Sequence, residues 1–530
     1  MKTLVPTLLI VFSLTCFALL PKSQAVDPPP DGGYPGGNTA EGQAALLSLT
    51  TGFYNTAVGI YSLLSLSDGS FCTGVGAGTL LANTANENTA TGAGALLSNT
   101  IGSGNTADGT FALLSNTEGS SNTANGDRAL QSNTIGAENT ASGASALLNN
   151  TTGSFNTALG VAALSSNTEG EGNTAIGDDA LLSNTTGANN TGIGGAALEF
   201  NVTGSFNVAV GTGALLLNTA GSRNTATGVQ ALFTNTADDN TAYGYQALLD
   251  NTNGFENTAT GSGALSSNTG GLANTANGAF ALFNNTGGQS NTATGDQALF
   301  SNTTANNNTA DGNATLFNNT TGAGNTAVGS TALTNNMTGS GNVALGNNAG
   351  ANVVAANNVI CIGSVGKDVT NSCFISSIRG VQTQNANAIP VLIDSDGQLG
   401  TISSSRRFKK EITPMDDASD AILALKPVTF HYKNDKENTP QFGLIAEEVA
   451  EVNPDLVVRD DTGEIYTVRY DAVNAMLLNE FLKEHTKVQR LEAALEAVTE
   501  RLKEQEAKIE RVNNQIDSNR LTPPVVVNNQ

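Results

Sequence analysis

Tryptophan is absent from this chain of 530 residues, histidine occurs only twice and cysteine only four times. Basic side chains are also scarce, because Lys and Arg total 23 against 46 Asp and Glu, and residues 38–357 contain only Arg128 and Arg223. Nucleic-acid binding needs clustered Lys and Arg to neutralise phosphates, so this composition excludes nucleic acid as a partner. The sequence also contains no cluster of metal-ligating residues and no phosphate-binding loop. We therefore expect neither a metal nor another cofactor.

Apolar runs long enough to span a bilayer are missing after the first 25 residues. Those residues combine Lys2, an apolar run from Leu4 to Leu20 and the small-residue site Ser23-Gln24-Ala25, which is the pattern of a secretory signal peptide. A membrane anchor is the rival interpretation, but the run is short and prolines follow it at once at 28–30. We expect cleavage after Ala25 and a secreted or cell-surface protein with no membrane span in its mature chain.

A short repeat is what the sequence has in abundance. From residue 38 to 357 the pattern N-T-A-x-G-x-x-A-L-x-x-N-T-x-G-x-x recurs 19 times, with Gly in the fifth place of every copy and Leu in the ninth place of the first 18. Low-complexity disorder is the alternative, but a disordered tract has no reason to return an Ala-Leu pair at a fixed interval. A unit this short cannot fold alone, so the repeat predicts a stacked β-solenoid.

Within each copy we predict two short strands. N-T-A-x-G forms one strand and a Gly corner, x-A-L-x forms the second strand, and N-T-x-G closes the coil. The copies that begin at Cys72 and Asn224 each lose one residue from the closing x-G-x-x segment, which marks that segment as the outer loop. Recurring Asn and Thr are expected to satisfy the turn backbones. An ice-binding surface is the alternative, although the pattern gives N-T pairs and not T-x-T.

A thin coil cored by Leu and Ala is only marginally stable by itself. Burial of one Leu contributes roughly 1.5–3 kcal/mol, whereas ordering the backbone of a 17-residue copy costs on the order of 17–34 kcal/mol. Hydrogen-bond ladders and Ala rows offset much of this cost, and we expect several chains to associate along small-residue faces. Cys361 and Cys373 could form a disulfide within one chain or between subunits, while Cys72 is a simple replacement of a repeat Asn.

The N-T-A-x-G-x-x-A unit resembles the left-handed β-roll heads of trimeric autotransporter adhesins over residues 38 to about 357. In those heads A-x-G-x-x-A units stack and three chains share one core. The resemblance implies a homotrimer whose solenoids share a core, and adhesion to a host or matrix surface ligand.

The composition changes after about residue 358. Residues 358–363 are predicted to form a last, altered coil, followed by short strands through 373–378 and 389–393. Further on we predict a helix at 418–425, a strand at 428–432, a short helix ending near Val452 and a hairpin pairing 456–459 with 465–469. A long helix begins near Asp471. Its apolar residues are spaced alternately three and four apart, with Gln505 in one seam position, which predicts a coiled coil of about four heptads: Val488, Leu491, Leu495, Val498, Leu502, Ile509, Val512 and Ile516.

Four motifs in this region resemble the endosialidase-type intramolecular chaperone domain, which ends phage tailspikes and fibres and occurs in the myelin regulatory factor family. They are S-S-S-R-R-F-K-K-E-I at 403–412, K-P-V-T-F-H-Y at 426–432, F-G-L-I-A-E-E-V at 442–449 and Y-D-A-V-N-A-M-L-L-N-E at 470–480. The resemblance implies a domain that trimerises, guides folding of the β-structure before it, and then cuts itself off with a Ser-Lys dyad.

The dyad of that family places Lys five residues after Ser. The resemblance therefore assigns the dyad to Ser404 and Lys409 and the cut to the bond between Ser403 and Ser404. In this assignment the Ser404 hydroxyl attacks the preceding carbonyl, and Lys409, which has other cations beside it, accepts the proton.

Two alternatives remain at this site. Many family members carry Asp after the serine where this chain has Ser405, so Ser405 with Lys410 is the alternative pair at the same spacing. From residue types alone, 403–407 is a flexible basic linker without chemistry. Neither His431, in a predicted strand, nor His485, on the long helix, is expected to act.

Together these observations predict a mostly β protein: a parallel β-solenoid of 17-residue repeats, trimeric, followed by a small α+β chaperone domain and a C-terminal coiled coil. The expected function is an exported adhesin-like or structural fibre that acts as a serine peptidase on its own chain and on no external substrate. A purely structural surface or matrix protein without a ligand is the alternative. The predicted segments are 1–25 signal peptide, 26–37 Pro/Gly linker, 38–357 β-solenoid, 358–403 terminal coil and stem, 404–480 chaperone domain, 481–520 coiled coil and 521–530 disordered tail.

Overall fold

The computed structural model describes residues 34–384, 387–394, 396–460 and 462–520. The chain divides between Val381 and Gln382 into two compact units, the repeat unit and the C-terminal unit. The predicted signal peptide, most of the predicted linker and the predicted tail lie outside the described residues and stay predictions. Among the residues described, no helix is both long and apolar enough to cross a membrane.

The repeat unit is a parallel β-solenoid. Each strand pairs in parallel with the strand of the next coil, and equal places of the repeat face each other, as Thr157 and Thr174 do. All 21 strands belong to one sheet. They are β1 (Thr39–Glu41), β2 (Thr56–Val58), β3 (Thr73–Val75), β4 (Thr89–Thr91), β5 (Thr106–Asp108), β6 (Thr123–Asn125), β7 (Thr140–Ser142), β8 (Thr157–Leu159), β9 (Thr174–Ile176), β10 (Thr191–Ile193), β11 (Val208–Val210), β12 (Thr225–Thr227), β13 (Thr241–Tyr243), β14 (Thr258–Thr260), β15 (Thr275–Asn277), β16 (Thr292–Thr294), β17 (Thr309–Asp311), β18 (Thr326–Val328), β19 (Val343–Leu345), β20 (Val359–Ile362) and β21 (Ser372–Ile375).

The prediction of two strands per coil is wrong. Each copy contributes one strand, and the predicted second strand, x-A-L-x, is a run of turns. The Leu in the ninth place has a left-handed backbone in all 18 copies that carry it, with φ between 50° and 56°. The segment still bonds to the next coil, as Leu164 N–H does to Ala180 O at 3.0 Å. Residues with a β-carbon rarely adopt this conformation, so the Ala-Leu pattern alone could not reveal it.

The core of the repeat unit lies inside the coils of a single chain. Ala in the third and eighth places and Leu in the ninth place point inward and stack on their equivalents in adjacent coils. In one copy these are Ala158, Ala163 and Leu164, and none of them is exposed. The three-chain core implied by the resemblance to autotransporter heads is therefore not found here, because each chain fills its own interior. Any association with further copies must use the outer surface.

Two rows of buried Asn side chains complete the interior. In the first row, Asn173 N–H donates to Asn156 Oδ1 at 2.9 Å and Asn156 Nδ2 donates to Gly170 O at 2.8 Å. In the second row, Asn167 Nδ2 donates to Gly170 O at 3.0 Å and to Asn150 Oδ1 at 2.8 Å. One inward carbonyl thus accepts from both rows, and each row bonds to the next coil. The expectation that Asn satisfies the turn backbone is confirmed.

The two shortened copies preserve this interior. Paired residues are 16 apart at the β3–β4 and β12–β13 pairings. In the first of these copies the carbonyl of Ala85 replaces that of a Gly and accepts from Asn83 Nδ2 at 2.9 Å. Cys72 takes the place of a row Asn, with its Sγ 3.2 Å from the same carbonyl oxygen. The missing residue falls in the closing loop, as predicted.

The two cysteines near the end of the solenoid are free. Cys361 on β20 is buried and Cys373 on β21 is exposed, and the register sets Cys373 opposite Ile360. The two thiols therefore point to opposite faces of the sheet, whereas a disulfide needs the β-carbons to approach each other. The alternative of a disulfide within one chain is wrong. Burial raises the pKa of the Cys361 thiol and keeps it protonated.

A carboxylate ends the regular hydrogen bonding between coils. Within the array, the amides of places 13–15 converge on one carbonyl oxygen of the next coil, as those of 168–170 do on Thr185 O. At the end of the last copy the acceptor is instead Asp368 Oδ1, which accepts from the amides of 354–356 at 3.0, 2.9 and 2.7 Å. These three bonds hold the pKa of Asp368 below its usual range.

The described residues of the C-terminal unit form three antiparallel hairpins and two α-helices. The hairpins pair β22 (Leu392–Ile393) with β23 (Leu399–Gly400), β24 (Val428–Phe430) with β25 (Gln441–Gly443), and β26 (Val457–Arg459) with β27 (Ile465–Val468). Helix α1 spans Ala446–Val452 and α2 spans Tyr470–Arg520, and 3-10 helices span Arg406–Phe408, Asp416–Ala424 and Pro454–Leu456. The strand predicted at 428–432, the short helix ending at Val452, the hairpin and the long helix are confirmed to within a few residues. The strand predicted at 389–393 is limited to Leu392–Ile393, the helix predicted at 418–425 is a 3-10 helix, and the coiled coil stays a prediction.

Helix α2 joins a small core at its start and exposes an apolar seam beyond it. Met476 packs with Ile422, Val449, Leu456 and other residues of the core. The eight apolar residues of the predicted coiled coil are 46–67% exposed in the single chain. This seam has no partner within the part of the chain that the structure describes.

A Gly-to-Ala pair tests the fit between coils. Gly160 has φ 139° and an added Cβ would lie 2.3 Å from Gly177 O, whereas nothing lies within 4 Å of a Cβ added at Gly195. We expect Gly160→Ala to destabilise its coils by more than about 2 kcal/mol and Gly195→Ala to be neutral or slightly stabilising. Hydrogen exchange of peptides covering 143–194 measures the difference. Equal exchange in the two variants would contradict this packing.

The terminal carboxylate predicts a pH dependence. Because the folded-state pKa of Asp368 is lowered, its bonds stabilise the end of the solenoid above about pH 4 and lose that effect as the pH falls through the folded-state pKa. Asp368→Asn keeps an oxygen acceptor without the charge. We expect the amides of 354–356 to exchange roughly 5- to 10-fold faster in this variant at pH 7, and the difference to shrink as the pH falls through the folded-state pKa of Asp368. Hydrogen exchange corrected for intrinsic rates checks this, and a difference that stays constant from pH 7 into the acid range would refute the role of the charge.

Candidate active site

A tight turn brings Ser404 and Lys409 together. The Ser405 carbonyl accepts from Phe408 N–H at 3.0 Å and closes the 3-10 helix Arg406–Phe408. The backbone returns to an extended conformation at Lys409, and Lys409 Nζ lies 3.3 Å from Ser404 Oγ. The two residues assigned from the family resemblance are therefore within hydrogen-bond distance of each other.

The surroundings of this pair are basic and open to water. Residues 401–412 are all exposed in the single chain, and the Arg407 guanidinium packs over the Phe408 ring, 4.6 Å from its centroid. Lys409 forms no ion pair with the residues described. Ser403 Oγ accepts from Ser405 N–H at 3.2 Å. The two residues of the alternative pair, Ser405 and Lys410, form no hydrogen bond with each other in the described chain.

The arrangement suits nucleophilic attack by a serine hydroxyl. An amine beside the hydroxyl can accept its proton only when the amine is neutral, and desolvation and neighbouring positive charge both favour the neutral form. Cations lie on both sides of Lys409 in the sequence, at 406, 407 and 410. Attack by this hydroxyl on the preceding carbonyl carbon, that of Ser403, closes a five-membered ring, whereas attack on its own carbonyl would close a strained four-membered ring.

A second Ser-Lys contact lies in the same unit. Lys483 Nζ on α2 is 3.3 Å from Ser419 Oγ on the 3-10 helix Asp416–Ala424, which is the separation of the first pair. Ser419 is completely buried. Its hydroxyl also bonds to a Glu480 carboxylate oxygen and accepts from Asn479 Nδ2 at 2.7 Å.

The electrostatics of the two lysines differ. Lys483 Nζ lies 2.6 Å from Asp420 Oδ1 and 2.7 Å from Glu480 Oε1. These carboxylates raise the pKa of Lys483 above its usual range, Asp420 having the larger effect. A lysine held protonated in this way cannot accept a proton from serine. The Ser419–Lys483 contact therefore fastens the 3-10 helix to α2 and has no catalytic role.

This cluster was not predicted from the sequence. Ser419 and Lys483 are more than sixty residues apart and belong to no common motif. The signal available was the Glu480–Lys483 spacing of three on one helix face, which is also typical of exposed surface pairs. His431 follows β24 and His485 is exposed on α2, so neither lies in the candidate site.

Residues 404–458 match the protein-family model described as chaperone of endosialidase. The match begins at Ser404 and ends within β26. The parallel β-solenoid precedes it in the chain. No curated protein and no solved structure matches this chain.

The fastening role of Ser419 predicts a loss of stability in the C-terminal unit. Ser419→Ala leaves the partly buried polar groups of Asn479 and Glu480 without one of their partners, at a cost of about 1–3 kcal/mol. We expect a lower melting temperature for this unit and faster hydrogen exchange at 416–424. Lys503→Ala, which removes an exposed helix pair with Glu500 at 3.5 Å, is the control and should change neither. An unaltered Ser419→Ala protein would contradict the role.

Proposed function

We propose that this chain is the subunit of an exported trimeric fibre, and that its C-terminal domain directs trimer assembly and then releases itself by cleavage between Ser403 and Ser404. The mature rod serves in adhesion or as a structural element of a surface or matrix. The activity is a single-turnover serine peptidase reaction on the chain itself.

One observation carries the proposal. The family match to an endosialidase chaperone begins at Ser404, and at that same residue the hydroxyl lies 3.3 Å from the amine of Lys409. A flexible linker without chemistry would have no reason to place its serine at the first residue of the match and its lysine within reach. This coincidence supports self-cleavage at the boundary of the domain.

The cleavage consumes one water molecule and needs no cofactor. Ser404 Oγ attacks the carbonyl carbon of Ser403 while Lys409 takes the hydroxyl proton. The C–N bond then breaks, a proton passes to the Ser404 nitrogen, and the acyl group of Ser403 remains as an ester on Ser404 Oγ. Water hydrolyses the ester, which leaves a carboxylate on Ser403 and restores the hydroxyl of Ser404.

The charges beside the α2 seam support parallel copies in register. With Val488 at position a of the heptad, Lys487 falls at g and Glu492 at the following e, and Arg501 and Glu506 have the same relation. In a parallel coiled coil a g residue contacts the next e residue of the neighbouring helix. Both contacts are attractive, and the remaining g–e combinations bring no like charges together.

Register is what a uniform solenoid cannot set by itself. Neighbouring copies of the repeat present nearly the same surface, so sliding one chain by one coil against another changes few contacts. A C-terminal domain that joins three chains at one level fixes that register before the coils form. Removal of the domain then leaves the rod kinetically trapped.

Mass spectrometry of the expressed protein tests the cleavage. We expect a fragment of residues 404–530 from the wild type, and cleavage at least about 100-fold slower in Ser404→Ala and Lys409→Ala. Ser405→Ala and Lys410→Ala are the matched controls and should release the same fragment. Loss of cleavage in the controls alone would favour the alternative pair, and an intact wild-type chain would refute self-cleavage.

A further inference from the structure

The outer face of the solenoid sheet changes character in its last three strands. In most strands the outward side chains are a Thr and one variable residue. In β19, β20 and β21 both outward positions are apolar. Val343, Ile360 and Cys373 form one column in register, and Leu345, Ile362 and Ile375 form the other. These six residues are called the terminal apolar patch.

The patch is exposed and uncharged. Its Val, Leu and Ile side chains are 40–51% exposed, and Cys373 is exposed as well. Among the other strands of the solenoid, β11 alone has two apolar outward residues, Val208 and Val210. Monomeric proteins rarely expose large contiguous apolar surfaces, and such surfaces mark interaction sites.

Apolar exposure continues along the chain towards the proposed cut. Seven aliphatic residues between the patch and Ser403 are each more than 60% exposed: Ile378, Val381, Ile389, Val391, Ile393, Leu399 and Ile402. All of them lie on the solenoid side of the bond between Ser403 and Ser404 and stay with the rod after cleavage.

After cleavage, a contact outside the C-terminal domain must hold the rods together, and the terminal apolar patch can provide it. The α2 seam belongs to residues 404–530 and leaves with them, so whatever holds the mature rods together lies before Ser404. A shared core cannot hold them, because each coil interior is filled by its own Ala, Leu and Asn side chains. Copies joined in register around one axis also bring the same residues to the same height.

We propose that the terminal apolar patch binds the same patch on two further copies of this chain and keeps the rods associated after the C-terminal domain is released. This inference rests on the proposed function, since it takes the trimer and the cleavage from there. It assigns the lasting contact to the end of the solenoid and leaves the Thr-bearing face of the array open.

Charge placed in the patch tests the contact. Leu345→Asp with Ile362→Asp puts two carboxylates on adjacent strands, at the place that Asp108 and Asp311 occupy singly on β5 and β17. Ile176→Asp with Ile193→Asp makes the same pair of changes on the adjacent strands β9 and β10, outside the patch. Sedimentation equilibrium measures the mass of each rod after release of residues 404–530.

We expect the wild-type and control rods to remain trimers and the patch variant to fall to one third of that mass. A patch variant that stays trimeric, or a control that dissociates equally, would overturn the proposal. The uncleaved Ser404→Ala chain reports separately on the proposed function, because a monomer there would refute assembly by the C-terminal domain itself.

Cys373 provides a second measurement that does not depend on cleavage. If the patches meet at the axis, copper–phenanthroline oxidation should join two Cys373 thiols in a disulfide-linked dimer, visible on a non-reducing gel. The control chain carries Cys373→Ser and Thr275→Cys, which moves the exposed thiol to β15, within the array and outside the patch, and should not cross-link. Absence of the dimer in a wild-type chain that is trimeric by mass would overturn the proposal.

Discussion

The inward carbonyl oxygen of each closing turn is the constraint on which the solenoid depends. A coil of 17 residues has no second layer of backbone that could donate hydrogen bonds to that oxygen. A buried carbonyl without a hydrogen bond costs free energy, so side chains must provide the donors. Asn156 and Asn167 both bond Gly170 O, and each Asn also bonds its equivalent one coil away. The same bonds that satisfy a turn therefore set the spacing between coils. This accounts for the two Asn places of the repeat, which a purely hydrophobic core would not need.

Because each coil is filled by side chains of its own chain, any contact between copies must use the outer surface or the ends of the solenoid. The coils in the middle of the array repeat the same internal contacts, so they add length and no distinctive site. Distinctive chemistry collects where the repeat stops: Asp368 replaces a carbonyl that the next coil would supply, and the outward Thr column gives way to Val343, Ile360 and Cys373. The distinctive features of the repeat unit therefore lie at its end, and the segment that matches the chaperone model follows further along the chain, from Ser404.

Much of this architecture could be predicted from the sequence, because a strict period leaves few alternatives. The parallel solenoid, the outer position of the shortened loops and the elements of the C-terminal unit followed from spacing alone. The prediction of a second strand was wrong, because the stacking of the coils imposes a left-handed backbone on residues such as Leu164, against the usual preference of Leu. The single-chain core was also out of reach, because the pattern of Ala and Leu is the same whether one chain or three enclose it. Ser404 and Lys409 were found through a motif, whereas Ser419 and Lys483 meet only through the tertiary fold.

The two Ser-Lys contacts show that environment, and not distance, decides what such a pair does. Both place the amine 3.3 Å from the hydroxyl. Lys483 is held protonated by Asp420 and Glu480, so its contact with Ser419 only stabilises the packing of the 3-10 helix against α2. Lys409 has no carboxylate beside it among the described residues, is exposed in the single chain and has cations for neighbours in the sequence. In the proposed trimer, packing of copies around the turn would exclude water and bring these positive charges together. Cleavage would then follow assembly for a physical reason, because the environment that the reaction needs would form only where the chains meet.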